Sequence, residues 1–213
     1  MAKEKWLVTG GAGFIGSHLV QTLLNQGSEV LCVDDLSSGN IGNLPKNKSL
    51  QFIKAKIQSL DAQIIGDGLS GIFHLAGQVS APMSVKNIYK SSSNNLLSML
   101  KTIEIAKINK LPIVYASSSA VYGDLAIGDD SIDSLSALSP YAMDKLTMER
   151  YAKLAGELYN ISSLGLRFFN VYGPRQDPSN PYSGVISIFL DKVSSNGKVI
   201  VNGGHQTRDF ILS

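Results

Sequence analysis

TGGAGFIG, residues 9–16, follows the short apolar run Trp6–Val8 and precedes an amphipathic stretch from His18 to Asn25. Within it Gly11, Gly13 and Gly16 spell G-x-G-x-x-G, and Gly10, Gly13 and Gly16 spell the related G-x-x-G-x-x-G. Glycine at these positions permits a tight turn, lets backbone approach a pyrophosphate and brings a helix close onto a strand. The helix N-terminus then offers free N–H groups and a positive dipole end to the phosphates. A glycine pattern alone is weak evidence; its place between a strand and a helix gives it weight. Asp34 adds a second support. It ends the next apolar run, Glu29–Val33, at the usual interval of about 20 residues, where a carboxylate accepts hydrogen bonds from the adenosine ribose. An acid there repels a 2′-phosphate, so NAD is expected over NADP, and Lys54 and Lys56 after the third run weaken that preference.

Outward from this motif the chain alternates short β-branched runs with helix-length amphipathic stretches, the pattern of βαβ units feeding a parallel sheet. The strand candidates are Trp6–Val8, Glu29–Val33, Leu50–Ile53, Gly71–Leu75, Pro112–Ala116 and Ser163–Phe168. The helix candidates are His18–Asn25, Ser93–Ile108 and Pro140–Leu158. Right-handed crossovers place the strand ends on one edge of the sheet, where ligands of doubly wound folds bind. Two long loops, Gly123–Ser139 and Gly173–Gly184, interrupt the rhythm. Loops of that length are functional or poorly ordered.

The 213 residues suffice for one large domain, or one domain and part of a second. Hydrophobic residues at 44% and charged residues at 17% argue against disorder. The net charge of +2 comes from scattered Lys and Arg, which gives no footprint for nucleic acid or an anionic membrane. Cys32, the one cysteine, sits in the apolar run EVLCVDD and reads as packing in a reducing compartment. No run approaches signal-peptide or membrane-span length, so a cytoplasmic enzyme with a small-molecule partner is expected.

A second cluster is Tyr141-Ala-Met-Asp-Lys145, at the start of a helix that Ser139 can cap and Pro140 can open. A spacing of four puts Tyr141 and Lys145 on one face. A tyrosine with an ordinary pKa of about 10 needs some 4 kcal/mol of preferential phenolate stabilisation, roughly three pKa steps, to act as a base near neutrality. The lysine ammonium and a cationic nicotinamide are the expected sources. On its own such a pair more often means a half-buried ring beside a snorkelling lysine. The run Pro112–Ala116 supplies the third element, because it ends in Ser117-Ser118-Ser119, whose hydroxyls can face the same sheet edge and share a substrate oxygen with Tyr141. Serines ending a strand also serve backbone groups in turns.

These clusters, in this order, resemble the extended short-chain dehydrogenase/reductases, and within them the NAD-dependent epimerase/dehydratase family typified by nucleotide-sugar 4-epimerases. TGGAGFIGSHL, VDDLSSGN, IFHLAGQVS, YASSSAVYG, SPYAMDK, LRFFNVYGPRQDP, NPYSGVISIF and HQTRDF carry the resemblance over nearly the whole chain. It implies an NAD cofactor held by Gly10, Gly13, Phe14, Ile15, Gly16, Asp34, Ile57, Leu75, Ala76, Gly77, Val79, Asn94 and Phe169, together with Tyr141 and Lys145. It implies Ser118, Tyr141 and Lys145 as catalytic residues, with Tyr141 the general base and Lys145 its ribose-bound partner. On the substrate side Asn170 would bind the diphosphate of a UDP-sugar, Val185 and Ile186 would flank the uracil, and Arg208 would clamp a phosphate with its planar fork.

The implied reaction removes hydride from C4 of the sugar and returns it to the other face. Ser119 and Ala120 stand where dehydratases of the family carry an Asp-Glu pair, which favours an epimerase. Lys56 replaces an Asp that reads the adenine, Ser98 and Met99 replace a Gly-Thr pair, and Gly203 replaces an acidic residue. The expected fold is α/β: a doubly wound parallel Rossmann sheet over 1–170, then a partial, truncated substrate-binding region over 171–213. The family's second phosphate-binding arginine and the helices that cover the sugar and often form the dimer contact are not in the sequence. A homodimer is compatible with this reading. Two alternatives stay open, a related NAD-dependent dehydratase, decarboxylase or reductase, and an NAD-binding protein without catalytic activity.

Overall fold

The computed structural model describes residues 3–125, 135–180, 183–201 and 203–213. The central parts of the two long loops read from the sequence, 126–134 and 181–182, lie outside the described residues. The chain divides into two compact units, Met1–Arg167 and Phe168–Ser213; the sequence reading put the division after residue 170.

The first unit is a six-stranded sheet. Its strands are β1 (Lys5–Thr9), β2 (Glu29–Asp34), β3 (Leu50–Lys54), β4 (Gly71–His74), β5 (Ile113–Ser118) and β6 (Ser163–Phe168), in the order β3-β2-β1-β4-β5-β6. The pairs β1–β2, β1–β4, β2–β3 and β4–β5 are parallel, with Leu7 opposite Leu31 on one side and Ile72 on the other. The strand order reverses between β1 and β4, so the crevice at their carboxyl ends is the switch point where doubly wound sheets bind ligands.

Helices cover both faces: α1 (Phe14–Asn25), α2 (Ala62–Gly66), α3 (Ala81–Lys86), α4 (Ile88–Asn109) and α5 (Pro140–Tyr159). Side-chain alternation divides the core accordingly. Val8, Val30 and Cys32 pack with Val20, Leu23 and Leu24 of α1. Leu7, Leu31 and Val33 pack with Ile103, Ile105, Met148 and Ala152 of α4 and α5. Cys32 is fully buried and burial pushes its thiol up to about 12, so it is the inert packing residue expected.

Three boundaries differ from the sequence reading by two residues or more. Helix α1 starts at Phe14 instead of His18, because Gly16, a poor helix former, is nonetheless inside it. Helix α4 starts at Ile88, capped by Asn87, whose side chain accepts from Lys90 N at 3.0 Å. Its serine-rich first turns read as loop but are tied down by tertiary hydrogen bonds. Strand β5 runs on to Ser118, which places two of the three serines in the sheet.

The second unit contains β7 (Asn170–Tyr172), α6 (Val185–Ser194) and β8 (Phe210–Leu212), with β7 and β8 paired in parallel. Helix α6 was not among the helices read from the sequence.

Candidate functional site

The glycine turn is as tight as the motif requires. Gly10 has φ +71°, and a Cβ there would lie 2.7 Å from Ala76 N and 2.8 Å from Leu75 C. A Cβ on Gly16 would lie 2.2 Å from Gly10 O, so only glycine lets α1 sit this close to the turn. Gly13 is the N-cap of α1 and contributes no side-chain cap, which leaves that end of the helix to an anion. Asp34 is buried at the end of β2. Its carboxylate accepts from Ala12 N at 3.0 Å and Leu36 N at 2.8 Å, with acceptor positions to spare for a diol.

Across the switch point, the loop after β4 carries Leu75, Ala76 and Gly77, all half-buried. His74 anchors it from below. The imidazole is fully buried, and burial followed by the Lys145 charge lowers its pKa to about 3, so it is neutral. Its Nδ1 lies 2.8 Å from Thr9 Oγ1 and 3.1 Å from Thr102 Oγ1, and its Nε2 lies 3.3 Å from Ser98 Oγ. Thr9 Oγ1 in turn accepts from Ala76 N at 3.2 Å. Ser98, one of the departures from the family pattern, thus has a defined partner in the ring.

The Ser118, Tyr141 and Lys145 group assembles on β5 and α5. Ser139 caps α5, accepting from Ala142 N at 3.1 Å with Pro140 in the first turn. Ser84 of α3 accepts from Tyr141 N at 3.0 Å, which latches the start of this helix to the segment that follows the β4 loop. Ser118 and Tyr141 are both buried, and the Ser118 hydroxyl, as a hydrogen-bonding neighbour, lowers the Tyr141 pKa. Lys145 Nζ lies 5.9 Å from the Tyr141 ring centroid and donates to Ala116 O at 2.7 Å. A Cβ on Gly77 would lie 3.8 Å from Lys145 Nζ and 2.8 Å from Asn95 Oδ1, so the β4 loop and the α5 face form one wall.

The electrostatics of the group are dominated by burial. Burial raises the Tyr141 pKa, and the Ser118 hydrogen bond offsets this only in part. Lys145 is itself lowered to about 8 by burial, against which the Asp144 charge works, and its ammonium is directed at a backbone carbonyl. Of the two sources expected for phenolate stabilisation, the lysine ammonium and a cationic nicotinamide, the lysine is the one in the chain, and beside it desolvation is the larger effect on Tyr141.

Other residues shift in role. Ile57 is 2% exposed and its side chain belongs to the core with Leu31 and Ile65, so only its backbone is available to a cofactor. Val79 is exposed. Asn94 is half-buried, and it is the next residue, Asn95, whose side chain meets the β4 loop: fully buried, its Oδ1 accepts from Gln78 N at 2.8 Å. Glu149 and Arg167 were also missed. Arg167 donates to Glu149 through Nε at 3.0 Å and an NH2 at 2.8 Å, and Ser117 Oγ donates to the same carboxylate. The signal available for Glu149 was its spacing, four residues after Lys145 on the same helix face.

A groove of about 650 Å³ between α4 and α5, lined by Leu97, Leu100, Leu154 and Tyr159, contains none of the candidate residues, so the chemistry is not placed there.

In the second unit, Asn170 opens β7 and its Nδ2 donates to Asp209 O at 3.1 Å. Arg208 is exposed just before β8, with an NH1 donating to Thr207 O at 2.7 Å. Pairing of β7 with β8 therefore brings Asn170 next to the Arg208–Asp209 segment. Val185 and Ile186 form the first turn of α6, whose N-cap Gly184 has no capping side chain. Phe169 is 37% exposed.

The profile of the NAD dependent epimerase/dehydratase family matches residues 6–213. The chain belongs to that family. The UDP-glucose 4-epimerase of Mycolicibacterium smegmatis is 36% identical over 97% of this chain and 68% of its own length. Among solved structures, the UDP-N-acetylglucosamine 4-epimerase from Methanobrevibacter ruminantium M1, in complex with UDP-N-acetylmuramic acid, superimposes with a TM-score of 0.95. It is 37% identical, over all of this chain and 70% of that one. The UDP-glucuronic acid 4-epimerase from Bacillus cereus, in complex with UDP-glucuronic acid and NAD, gives a TM-score of 0.88 at 32% identity, over 98% of this chain and 69% of that one. Among the described residues no helix is long and apolar enough to cross a membrane, and no group of metal-ligating side chains is present.

Proposed function

We propose that the chain is a nucleotide-sugar 4-epimerase acting on a UDP-sugar, of the glucose/galactose or N-acetylated pair. The observation that carries this reading is the gathering of buried Ser118, Tyr141 and Lys145 on β5 and α5, on a wall shared with the loop that faces the glycine turn. The side chain-free cradle at Gly10, Gly13 and Gly16, with Asp34 at its end, fits a dinucleotide. Bound there, NAD supplies the acceptor and then the donor of the hydride at sugar C4.

The chain's own residues then have separate tasks. Tyr141 accepts the proton of the 4-hydroxyl and later gives it back, so there is no net redox change. Ser118 holds the same oxygen by hydrogen bond. Lys145, an ammonium at neutral pH, lends positive charge to the phenolate and donates to a ribose hydroxyl. Gly10, Gly13, Phe14, Ile15 and Gly16 bind the pyrophosphate, Asp34 the adenosine ribose, and Leu75, Ala76 and Gly77 the middle of the dinucleotide. In the second unit, Asn170 and Arg208 hold the substrate diphosphate and Val185 and Ile186 the uracil. Ser119 and Ala120 after Ser118 provide no carboxylate for an elimination, which supports epimerisation over dehydration.

The test is incubation with UDP-glucose and, separately, UDP-N-acetylglucosamine, with the C4 epimers followed by NMR. Epimer formation that falls at least about 100-fold in Tyr141→Phe is expected. A keto or decarboxylated product transfers the chain to another reaction of the family. NAD binding without any UDP-dependent thermal stabilisation supports a non-catalytic binding protein instead, since a ligand at a hundred times its Kd adds about 2.7 kcal/mol.

A further inference from the structure

Asp144 is a buried carboxylate to which the chemistry above gives no task. It is 3% exposed, lies on α5 beside Lys145 in sequence, and faces α4. Three α4 side chains donate to it: Ser92 Oγ at 2.7 Å, Asn95 Nδ2 at 3.0 Å and Ser91 Oγ at 3.2 Å. All three donors are neutral, and none of the ion pairs among the described residues includes Asp144. Lys145 is its mirror image. It is 4% exposed, forms no ion pair among the described residues, and is held by a neutral carbonyl.

An isolated buried ion costs several kcal/mol even after relaxation, and hydrogen bonds with an opposite charge nearby are what make one tolerable. The charged and titratable groups around Lys145 leave few counter-charges. On α5, Tyr141 is neutral and Glu149 is taken by Arg167 of β6 and Ser117 of β5. On β4, His74 is neutral inside its hydroxyl cage. Alpha-helix α4 presents Asn95, β5 presents the Ala116 carbonyl and Ser118, and the β4 loop presents Gly77, none of them charged. Asp144 is the remaining carboxylate.

We propose that Asp144 is a positioning residue for Lys145: its carboxylate, fixed by Ser91, Ser92 and Asn95, is the internal counter-charge that keeps Lys145 an ammonium inside the fold. Asn95 also accepts from Gln78 N, so the same contacts tie this charge pair to the loop that faces the dinucleotide cradle. The direction of the Asp144 effect on Lys145, opposing burial, agrees with this. The significance for catalysis rests on the epimerase reading; the charge relationship itself does not.

The test is the urea-unfolding stability of wild type, Asp144→Asn, Lys145→Met and the double variant between pH 6 and 10.5. No cofactor or sugar is present, so its outcome is independent of whether the epimerase reading holds. A native lysine that gives up its proton near pH 8, against about 10.4 when unfolded, makes the wild-type advantage over Lys145→Met rise above pH 8. Cys32, packed with α1 in a core cluster that includes no α5 residue, titrates alike in both members of the comparison. In the Asp144→Asn background the same rise is expected to begin about one pH unit lower. The cost of Asp144→Asn should therefore be largest near pH 6 and shrink as pH rises, and should become flat with pH when Lys145 is methionine. Ser92→Ala, which removes a donor and leaves the charge, should lower stability without moving the onset. An unmoved onset in Asp144→Asn, or a pH-dependent cost that persists in Lys145→Met, overturns the proposal. Asp144→Ser gives the same readout if the asparagine variant does not fold.

Discussion

Glu149→Gln removes a charge held against β5, the strand that ends in Ser117 and Ser118, while leaving the side chain's shape, and its cost can be worked from the contacts. The carboxylate takes two bonds from Arg167, at 3.0 and 2.8 Å, and a third from Ser117. The two side chains are only 16% and 18% exposed. An amide can accept at one end only; its NH2 faces a guanidinium donor, so one Arg167 bond is lost together with the negative charge that Glu149 brought to it. Hydrogen bonds to charged groups contribute about 1.5–3 kcal/mol each. Breaking a buried pair from one side costs about 3–5 kcal/mol. The residual exposure and the stacking of Arg167 over Tyr122, 4.9 Å away, place this case at about 3 kcal/mol. Urea unfolding of the single variants and of Glu149→Gln/Arg167→Met measures it. The double variant should cost less than the sum of the singles by about 1.5 kcal/mol or more, because each single strands the other's partner. A single-variant cost under about 1 kcal/mol, or strict additivity, would refute the reasoning. Ser117 precedes Ser118, so turnover in Glu149→Gln should also fall beyond what the unfolded fraction explains.

His74→Gln should flatten the acid limb of stability. A neutral histidine whose folded pKa lies near 3, below its unfolded value of about 6.5, contributes stability that is present above pH 6.5 and lost as pH falls toward 3, at about 1.4 kcal/mol per pH unit; unfolding at pH 4, 5, 6 and 7 shows whether that slope disappears. Gly16→Ala should cost about 2 kcal/mol and abolish NAD binding, since its Cβ meets the Gly10 carbonyl at 2.2 Å, whereas Gly13→Ala meets only that oxygen, at 3.2 Å, and should fold nearly as well as wild type. Calorimetric NAD titration of both separates the cradle from the fold. Ser139→Ala removes the cap of α5 and should lower stability by about 1 kcal/mol in thermal melts, with Ser84 still holding Tyr141 N.

What could be read from the chain alone was what backbone periodicity carries. Six β-branched runs became six strands, and the glycine turn and Asp34 fell at the switch point, because glycine spacing and a strand-ending acid are local features with one structural use. Ser118, Tyr141 and Lys145 were legible for the same reason: a strand end and a four-residue helix spacing put them on one edge. Asp144, Asn95, Glu149 and Arg167 were not, because each has its role through a partner from another element. Ser91 and Asp144 are 53 residues apart, and nothing in the pattern SSSNN says that its hydroxyls will face a carboxylate on α5.

The burial of Tyr141 and Lys145 was illegible for the same reason. Spacing shows that a lysine is near; it cannot show that Lys145 is 4% exposed and turned to Ala116 O, or that burial acts on both groups against the charges the chemistry needs. For side chains this buried, neighbouring charges and hydrogen bonds act on proton affinity with little screening from water. Burial sets the Tyr141 proton affinity first and Ser118 second; Asp144 bears on it only through its proposed hold on Lys145. It follows that a substitution at Ser92, which touches neither substrate nor cofactor, should reach the active tyrosine only if it moves the Asp144 charge, and should otherwise leave the pH profile where it is.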